Sequence, residues 1–327
     1  MISTKLLRQS AFAALTLISV ASVSTLAVVT PAAAAAPMVK TSPGYYRIML
    51  GDFEVTALSD GTVPLPMDKL LTGVTPAEFD KALKKAHLTN PIDTSVNAYL
   101  INTGDKLVLV DTGAGSFFGP SVGKLVASMK AAGYQPEQVD EIYITHMHGD
   151  HIGGLTVNGA AVFPNAIVRA DSHDADQWLS QKNLDKAPAD AKDGFQHAIS
   201  SLQPYIAAGH FKTFNGDTDL IPGVKAVAAR GHTPGHTIYL VESKGKKLIL
   251  WGDLMHVASV QFEHPSIAIH FDSDSKEAIA SREKAYAAAA KEGYLIGSAH
   301  LSFPGLGYVR AEGKGYVWIP VNYVSLP

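Results

Sequence analysis

The sequence predicts a layered α/β sandwich. Short apolar runs bounded by Gly, Asp and Asn read as strands, other segments repeat apolar residues at helical spacing, and both kinds recur in the two halves of the chain. Tyr45 to Leu50 and Phe53 to Leu58 form a strand pair around Gly51-Asp52, and Asn97 to Asn102 pairs with Lys106 to Asp111 across Thr103-Gly104-Asp105. Residues 121–132 place Val122, Leu125, Val126 and Met129 on one helical face, closed by Gly133. Glu141 to Thr145 reads as a short strand. Residues 172–210 read as helical, interrupted at Pro188 and Gly194. Strands resume at Thr237 to Glu242 and Lys247 to Trp251, a helix spans about 275–291 and stops at Gly293, and strands at Tyr294 to Ser298 and Tyr316 to Val321 end the pattern.

The chain has 327 residues, 46% apolar and 17% charged, an ordinary globular balance with material for a substantial core. The net charge is −3 and no Lys/Arg-rich run occurs, which argues against nucleic-acid binding through a basic footprint. Residues 1–36 read as a secretory signal peptide: Lys5 and Arg8 lead, Ala11 to Val29 is apolar, and Ala32 to Ala36 offers Ala-x-Ala cleavage. A retained anchor is the alternative, since about 19 weakly polar residues just reach across a bilayer. Cleavage leaves residues 37–327 as a single domain, periplasmic or secreted, with no stable membrane span. The chain has no cysteine, so a metal site must use His and carboxylate ligands and no thiol nucleophile exists.

The chemistry concentrates in His146-Met147-His148-Gly149-Asp150-His151. Four ligand-type side chains leave the end of a strand together, where a loop lets them converge, and Gly149, Gly153 and Gly154 free the backbone. Neutral imidazoles suit zinc, and the carboxylate adds charge for a second divalent ion.

His-x-His-x-Asp-His resembles the signature of the metallo-β-lactamase superfamily. Gly231-His232-Thr233-Pro234-Gly235-His236-Thr237, Gly252-Asp253 and Ala299-His300 resemble its later landmarks in order, and Asp111-Thr112-Gly113 resembles an element that supports the site without ligating. The resemblance implies a four-layer αββα sandwich and two divalent metal ions, zinc being the default. It gives one ion His146, His148 and His236, the other Asp150, His151 and His300, with Asp253 bridging; His232 is left to shape the turn. Asp150 and Asp253 are then also the catalytic carboxylates, with Asp150 a possible proton shuttle. Such a pair of ions ionises a shared water near neutral pH and polarises a carbonyl or phosphoryl oxygen.

Over nearly all of residues 37–327 the chain resembles methyl parathion hydrolases and their lactonase and arylesterase relatives, in stretches such as Pro43-Gly44-Tyr45-Tyr46-Arg47, Asp272-Ser273-Asp274-Ser275-Lys276 and His300-Leu301-Ser302-Phe303-Pro304-Gly305. The resemblance implies a homodimer and places Phe118, Trp178 and Phe195 as pocket aromatics for a flat ring. Leu70, His256, Ile269 and Phe271 stand where the phosphotriesterases carry Arg, Leu, Thr and Leu. His256 and Phe271 narrow the pocket, which favours a planar lactone or aryl ester of the dihydrocoumarin kind over a tetrahedral phosphotriester. Organophosphate hydrolysis is then weak. A phosphotriesterase, a β-lactamase and a non-catalytic binding module are the competing readings.

Overall fold

Leu107-Val108-Leu109-Val110 shows why the chain folds into layers. All four side chains are buried, and because successive residues of a strand face opposite ways, such a run needs apolar cover on both sides. Val108 and Val110 point into a cluster with Tyr99, Tyr239, Val241, Leu248 and Leu250, while Leu107 and Leu109 point into another with Leu125, Met129, Ala198 and Leu202.

The computed structural model describes residues 38–326, so the signal-peptide reading lies outside the described residues. Two seven-stranded sheets are each ordered as the sequence runs. The first holds β1 (Tyr45–Leu50), β2 (Phe53–Leu65), β3 (Ile92–Asn102), β4 (Leu107–Val110), β5 (Glu141–Tyr143), β6 (Ile167–Asp171) and β7 (Phe211–Phe214). The second holds β8 (Thr218–Ile221), β9 (Val224–Ala228), β10 (Thr237–Ser243), β11 (Lys246–Leu250), β12 (Leu295–Gly297), β13 (Leu306–Glu312) and β14 (Gly315–Pro320). Strands β4 to β7 run parallel to one another, as do β11 and β12; the other pairs are antiparallel.

The helices are α1 (Pro76–Lys85), α2 (Leu125–Ala131), α3 (Ser172–Trp178), α4 (Lys192–Ala207) and α5 (Ser275–Glu292), with shorter turns between them. Helices α2 and α4 cover the outer face of the first sheet through Leu125, Met129, Ala198 and Leu202. Helix α5 covers the second through Ala285, Tyr286 and Ala289 against Ile238, Trp251 and Ile296. The expected αββα sandwich is thus present, and Ser42–Pro327 makes one compact unit. Among the described residues no helix is long and apolar enough to cross a membrane.

The structure corrects several local readings. The helix expected from residue 121 begins at Leu125, because Gly123 has φ +76° and the Asp60 carboxylate accepts the amide N–H groups of Gly123 and Leu125. Pro188 separates two helices as expected, but Gly194 lies inside α4. A Cβ there would sit 3.1 Å from the Trp178 ring, so this glycine serves close approach and not chain interruption. Helix α1 went unread although Thr75-Pro76-Ala77-Glu78 forms a capping box with Pro at its start.

Candidate metal centre

Parallel pairing brings the ends of β4, β5 and β6 to one edge of the first sheet, and Thr145 to His151 leave the sheet there. Asp111, the residue after β4, pins this exit. Its Oδ1 accepts the Thr145 amide and its Oδ2 accepts the Thr145 hydroxyl, each at 2.8 Å. Asp111 has φ +61°, a left-handed conformation uncommon outside glycine and tolerated best by Asn and Asp. The second sheet meets this edge directly, since the Thr237 amide donates to the Thr145 carbonyl at 2.9 Å. Asp253 follows β11, His300 follows β12, and His232 lies on the loop entering β10. That loop is held by amides of Ser273 and Asp274 donating to the His232 and Gly231 carbonyls at 2.9 and 2.8 Å.

Two donor sets result. His146, His148, His232 and Asp253 form one, and Asp150, His151 and His300 form the other. In the first, His148 Nδ1 lies 3.0 Å from His146 Nε2 and 3.1 Å from His232 Nε2, while Asp253 Oδ2 is 3.5 and 3.2 Å from those two Nε2 atoms. In the second, Asp150 Oδ2 is 3.5 Å from His151 Nε2 and 3.4 Å from His300 Nε2. Asp253 joins the sets, with Oδ1 3.2 Å from His151 Nε2 and Oδ2 3.1 Å from His300 Nε2.

Hydrogen bonds behind the rings fix which nitrogen carries the proton. His151 Nδ1 faces Asp111 Oδ2 at 2.8 Å, His232 Nδ1 faces Asp272 Oδ1 at 2.9 Å, and His300 Nδ1 faces the Ser95 carbonyl at 2.8 Å. His146 Nδ1 faces Thr145 Oγ1 at 3.1 Å, whose own proton goes to Asp111. Each of these four rings therefore donates outward from Nδ1 and turns the Nε2 lone pair inward. Lone pairs then meet carboxylate oxygens and one another at about 3 Å, an arrangement that only protons or cations stabilise. His151 Nε2 and Asp253 Oδ1 are buried with no hydrogen-bond partner at all. Four carboxylates, Asp111, Asp150, Asp253 and Asp272, carry the charge that two divalent ions would balance. The donor set fits a dinuclear centre.

Protonation tendencies point the same way. Burial opposes charge on His232, but hydrogen bonds to Asp253 and Asp272 outweigh it and push the pKa up to about 9. Burial likewise opposes charge on His151, and Asp253, Asp150 and Asp111 overcome it. Burial lowers His148 to about 3, with His232 adding to the effect. Burial would raise Asp253, yet the surrounding histidines, His151 foremost, hold it well below the usual carboxylate range.

His236, expected in the first set, is not there. Its Nδ1 donates to the Ala229 carbonyl at 2.9 Å and its Nε2 accepts the Asp253 amide at 3.0 Å, so both nitrogens are engaged. His232 takes the place, and His236 orients the backbone of Asp253. His256 is closer to the centre than a pocket wall would be. Its Nε2 lies 3.1 Å from Asp253 Oδ2, its ring stacks on His300 at 5.0 Å, and it completes a further donor group with Asp253 and His300.

The other expected pocket residues divide. Trp178 presents its edge to His148 at 5.3 Å and contacts Phe195 at 4.9 Å, and Phe118 lies over Gly149 with His197 beside it. Phe271 is 6.0 Å from His256. Ile269 instead packs among Met67, Leu71, Phe79, Val257 and Val260, and the partly buried Leu70 packs against the same cluster. The segment Gly119-Pro120-Ser121-Val122-Gly123 has Gly-x-Ser-x-Gly spacing, but Ser121 lies in a turn with no strand leading into it, which is not a nucleophile elbow.

Residues 91–300 match the family model described as the Metallo-beta-lactamase superfamily. The chain is similar to a solved structure of hydrolase AbOPH in the beta lactamase superfamily, with TM-score 0.83 and 39% identity over 88% of this chain and 100% of that one. It is also similar to AidC, a dizinc quorum-quenching lactonase in complex with a product, N-hexanoyl-L-homoserine, with TM-score 0.80 and 29% identity over 86% and 99% of the two chains. An N-acyl homoserine lactonase of Bacillus sp. is 28% identical over 203 residues, 56% of this chain and 72% of the relative.

Two outcomes test the centre. His232→Ala should leave no more than about one retained ion per chain by metal analysis, since the first set loses a ligand; retention of two ions would return the third place to His236. Binding an ion must also displace the protons that His232, at about 9, and His151 otherwise hold. Zinc affinity measured by chelator competition should therefore rise as pH increases from about 6 to about 9, and a flat profile would contradict the protonation pattern.

Proposed function

This chain belongs to the metallo-β-lactamase superfamily, and from that premise we propose that it is a dinuclear metal-dependent hydrolase acting on lactones and aryl esters of the dihydrocoumarin kind, with organophosphate triesters as poor substrates. The observation that carries the reaction class is the donor cage around Asp253, with inward Nε2 atoms on two sides of one carboxylate. Two divalent cations held there supply a water ionised near neutral pH and Lewis-acid polarisation of the substrate oxygen. Zinc is the ion we assign, in keeping with the all-His/Asp donors.

The chain's own residues supply orientation and proton handling. His146, His148 and His232 would hold one ion and Asp150, His151 and His300 the other, with Asp253 between the two sets. Asp111, Asp272 and the Ser95 carbonyl keep the rings in the tautomer that binding needs. Asp150, partly exposed where Asp253 is closed off, is the carboxylate placed to take up a proton of the attacking water and pass it to the departing alkoxide or phenolate. We assign Phe118, Trp178 and Phe195, grouped near His148, and His256 and Phe271, near Asp253, to the two walls of an aromatic substrate slot. A flat lactone or aryl ester fits such a slot with less displacement than a tetrahedral phosphorus centre.

The similarity to N-acyl homoserine lactonases supports ring opening of lactones. Export with removal of residues 1–36 remains part of the proposal and rests on the basic start, apolar run and Ala-rich end of that segment. A panel of dihydrocoumarin, an N-acyl homoserine lactone, an aryl ester and methyl parathion, assayed on zinc-loaded protein, tests the substrate class. The lactones or aryl ester should exceed methyl parathion in kcat/KM by at least about tenfold, some 1.4 kcal/mol in transition-state binding. Methyl parathion in first place would replace this reading with a phosphotriesterase.

A further inference from the structure

We propose that Asp174 is a positioning residue that sets the separation of the two loops carrying His146, His148 and His232, and thereby the fit of the cation those three hold. The inference rests on the metal reading above and adds a residue outside the donor sets. Asp174 lies in the first turn of α3 and is 1% exposed. Its Oδ2 accepts the Met147 amide at 2.9 Å and the Thr233 hydroxyl at 3.0 Å, and its Oδ1 accepts the Gly235 amide at 2.6 Å. Met147 stands between His146 and His148, and Thr233 follows His232. One carboxylate is therefore the shared acceptor of both loops.

The rest of the helix supports that role. Asp171, the last residue of β6, caps α3 by accepting the His173 amide at 2.8 Å and also takes the Gly216 amide at 2.7 Å, so the start of the helix is tied to the segment after β7. At the other end, Trp178 sets its edge against the His148 ring. Gly235 permits the close approach, because a Cβ there would lie 2.5 Å from the Asp174 amide nitrogen and 2.9 Å from its Oδ1. Burial pushes the Asp174 pKa up to about 6, which leaves it ionised and accepting at both oxygens at neutral pH. An asparagine of nearly equal volume accepts at one position only and turns an NH2 group towards a donor at the other. The loops would then be driven apart without any ligand being removed.

Zinc binding by chelator competition, on the full domain, tests this with three variants. Asp174→Asn should weaken zinc binding about 10- to 100-fold, the usual effect of losing a group that orients metal ligands. Thr233→Val removes one donor to Asp174 and should weaken binding in the same direction by a smaller factor; it carries the test if Asp174→Asn does not fold. Asp60→Asn is the control: Asp60 is also buried and accepts amides of Ala114, Gly123 and Leu125 at 2.9 Å, none of which belongs to the His146–His148 or His232–Gly235 loops. It should lower the unfolding temperature and leave zinc affinity at the wild-type value. Wild-type affinity in both Asp174→Asn and Thr233→Val, or an equal loss in Asp60→Asn, would overturn the positioning role. A wild-type protein that binds no zinc would instead overturn the metal reading beneath it.

Discussion

Asp253 is buried to 3% exposure, and its two oxygens lie within 3.5 Å of ring nitrogens from His146, His151, His232, His256 and His300. A buried carboxylate costs several kcal/mol unless positive charge or donors surround it. Four of these rings, His146, His151, His232 and His300, are constrained to be acceptors on the side that faces it, because their protons are committed to Thr145, Asp111, Asp272 and the Ser95 carbonyl. The centre thus needs cations for the same reason that it can bind them. Protons can occupy it in their place, which couples cation affinity to pH.

The fold exists in large part to bring that carboxylate and those rings together. Parallel pairing within each sheet puts the ends of β4, β5 and β6, and of β11 and β12, at sheet edges, where chain turns can present side chains without breaking a ladder. The sandwich then closes one edge on the other through the bond from Thr237 to Thr145 and the close approach of Gly252 to Thr145 and His236. Tyr239 adds a buried tie from the second sheet by donating to the Ile144 carbonyl at 2.6 Å. Asp174 fastens the His146 and His232 loops from a helix outside both sheets. Ligand geometry in this arrangement depends on residues that touch no ligand.

Much of this was legible in the sequence, for identifiable reasons. His146, His148, Asp150 and His151 crowd into six positions, and the buried run at 107–110 announces a strand covered on both faces. The choice between His232 and His236 was not legible. Both follow a glycine within one short loop, and only the engagement of His236 by the Ala229 carbonyl and the Asp253 amide removes it from the donor set. Partners such as Asp272 for His232 and Ser95 for His300 lie 40 and 205 residues away, so no local pattern marks them. Strand β6 carries Arg169 and Asp171, and β13 carries Arg310 and Glu312, so neither forms an apolar run that marks a strand in the sequence. Ile269 belongs to an apolar core cluster and Leu70 packs against it, a placement that depends on three-dimensional packing alone.

The most direct measurement is anomalous diffraction at the zinc edge from crystals of the zinc-loaded domain. Two peaks are expected, one bonded to His146 Nε2, His148 Nδ1 and His232 Nε2, the other to Asp150, His151 Nε2 and His300 Nε2, with Asp253 touching both. A peak bonded to His236, or no peak beside Asp253, would contradict this ligand set.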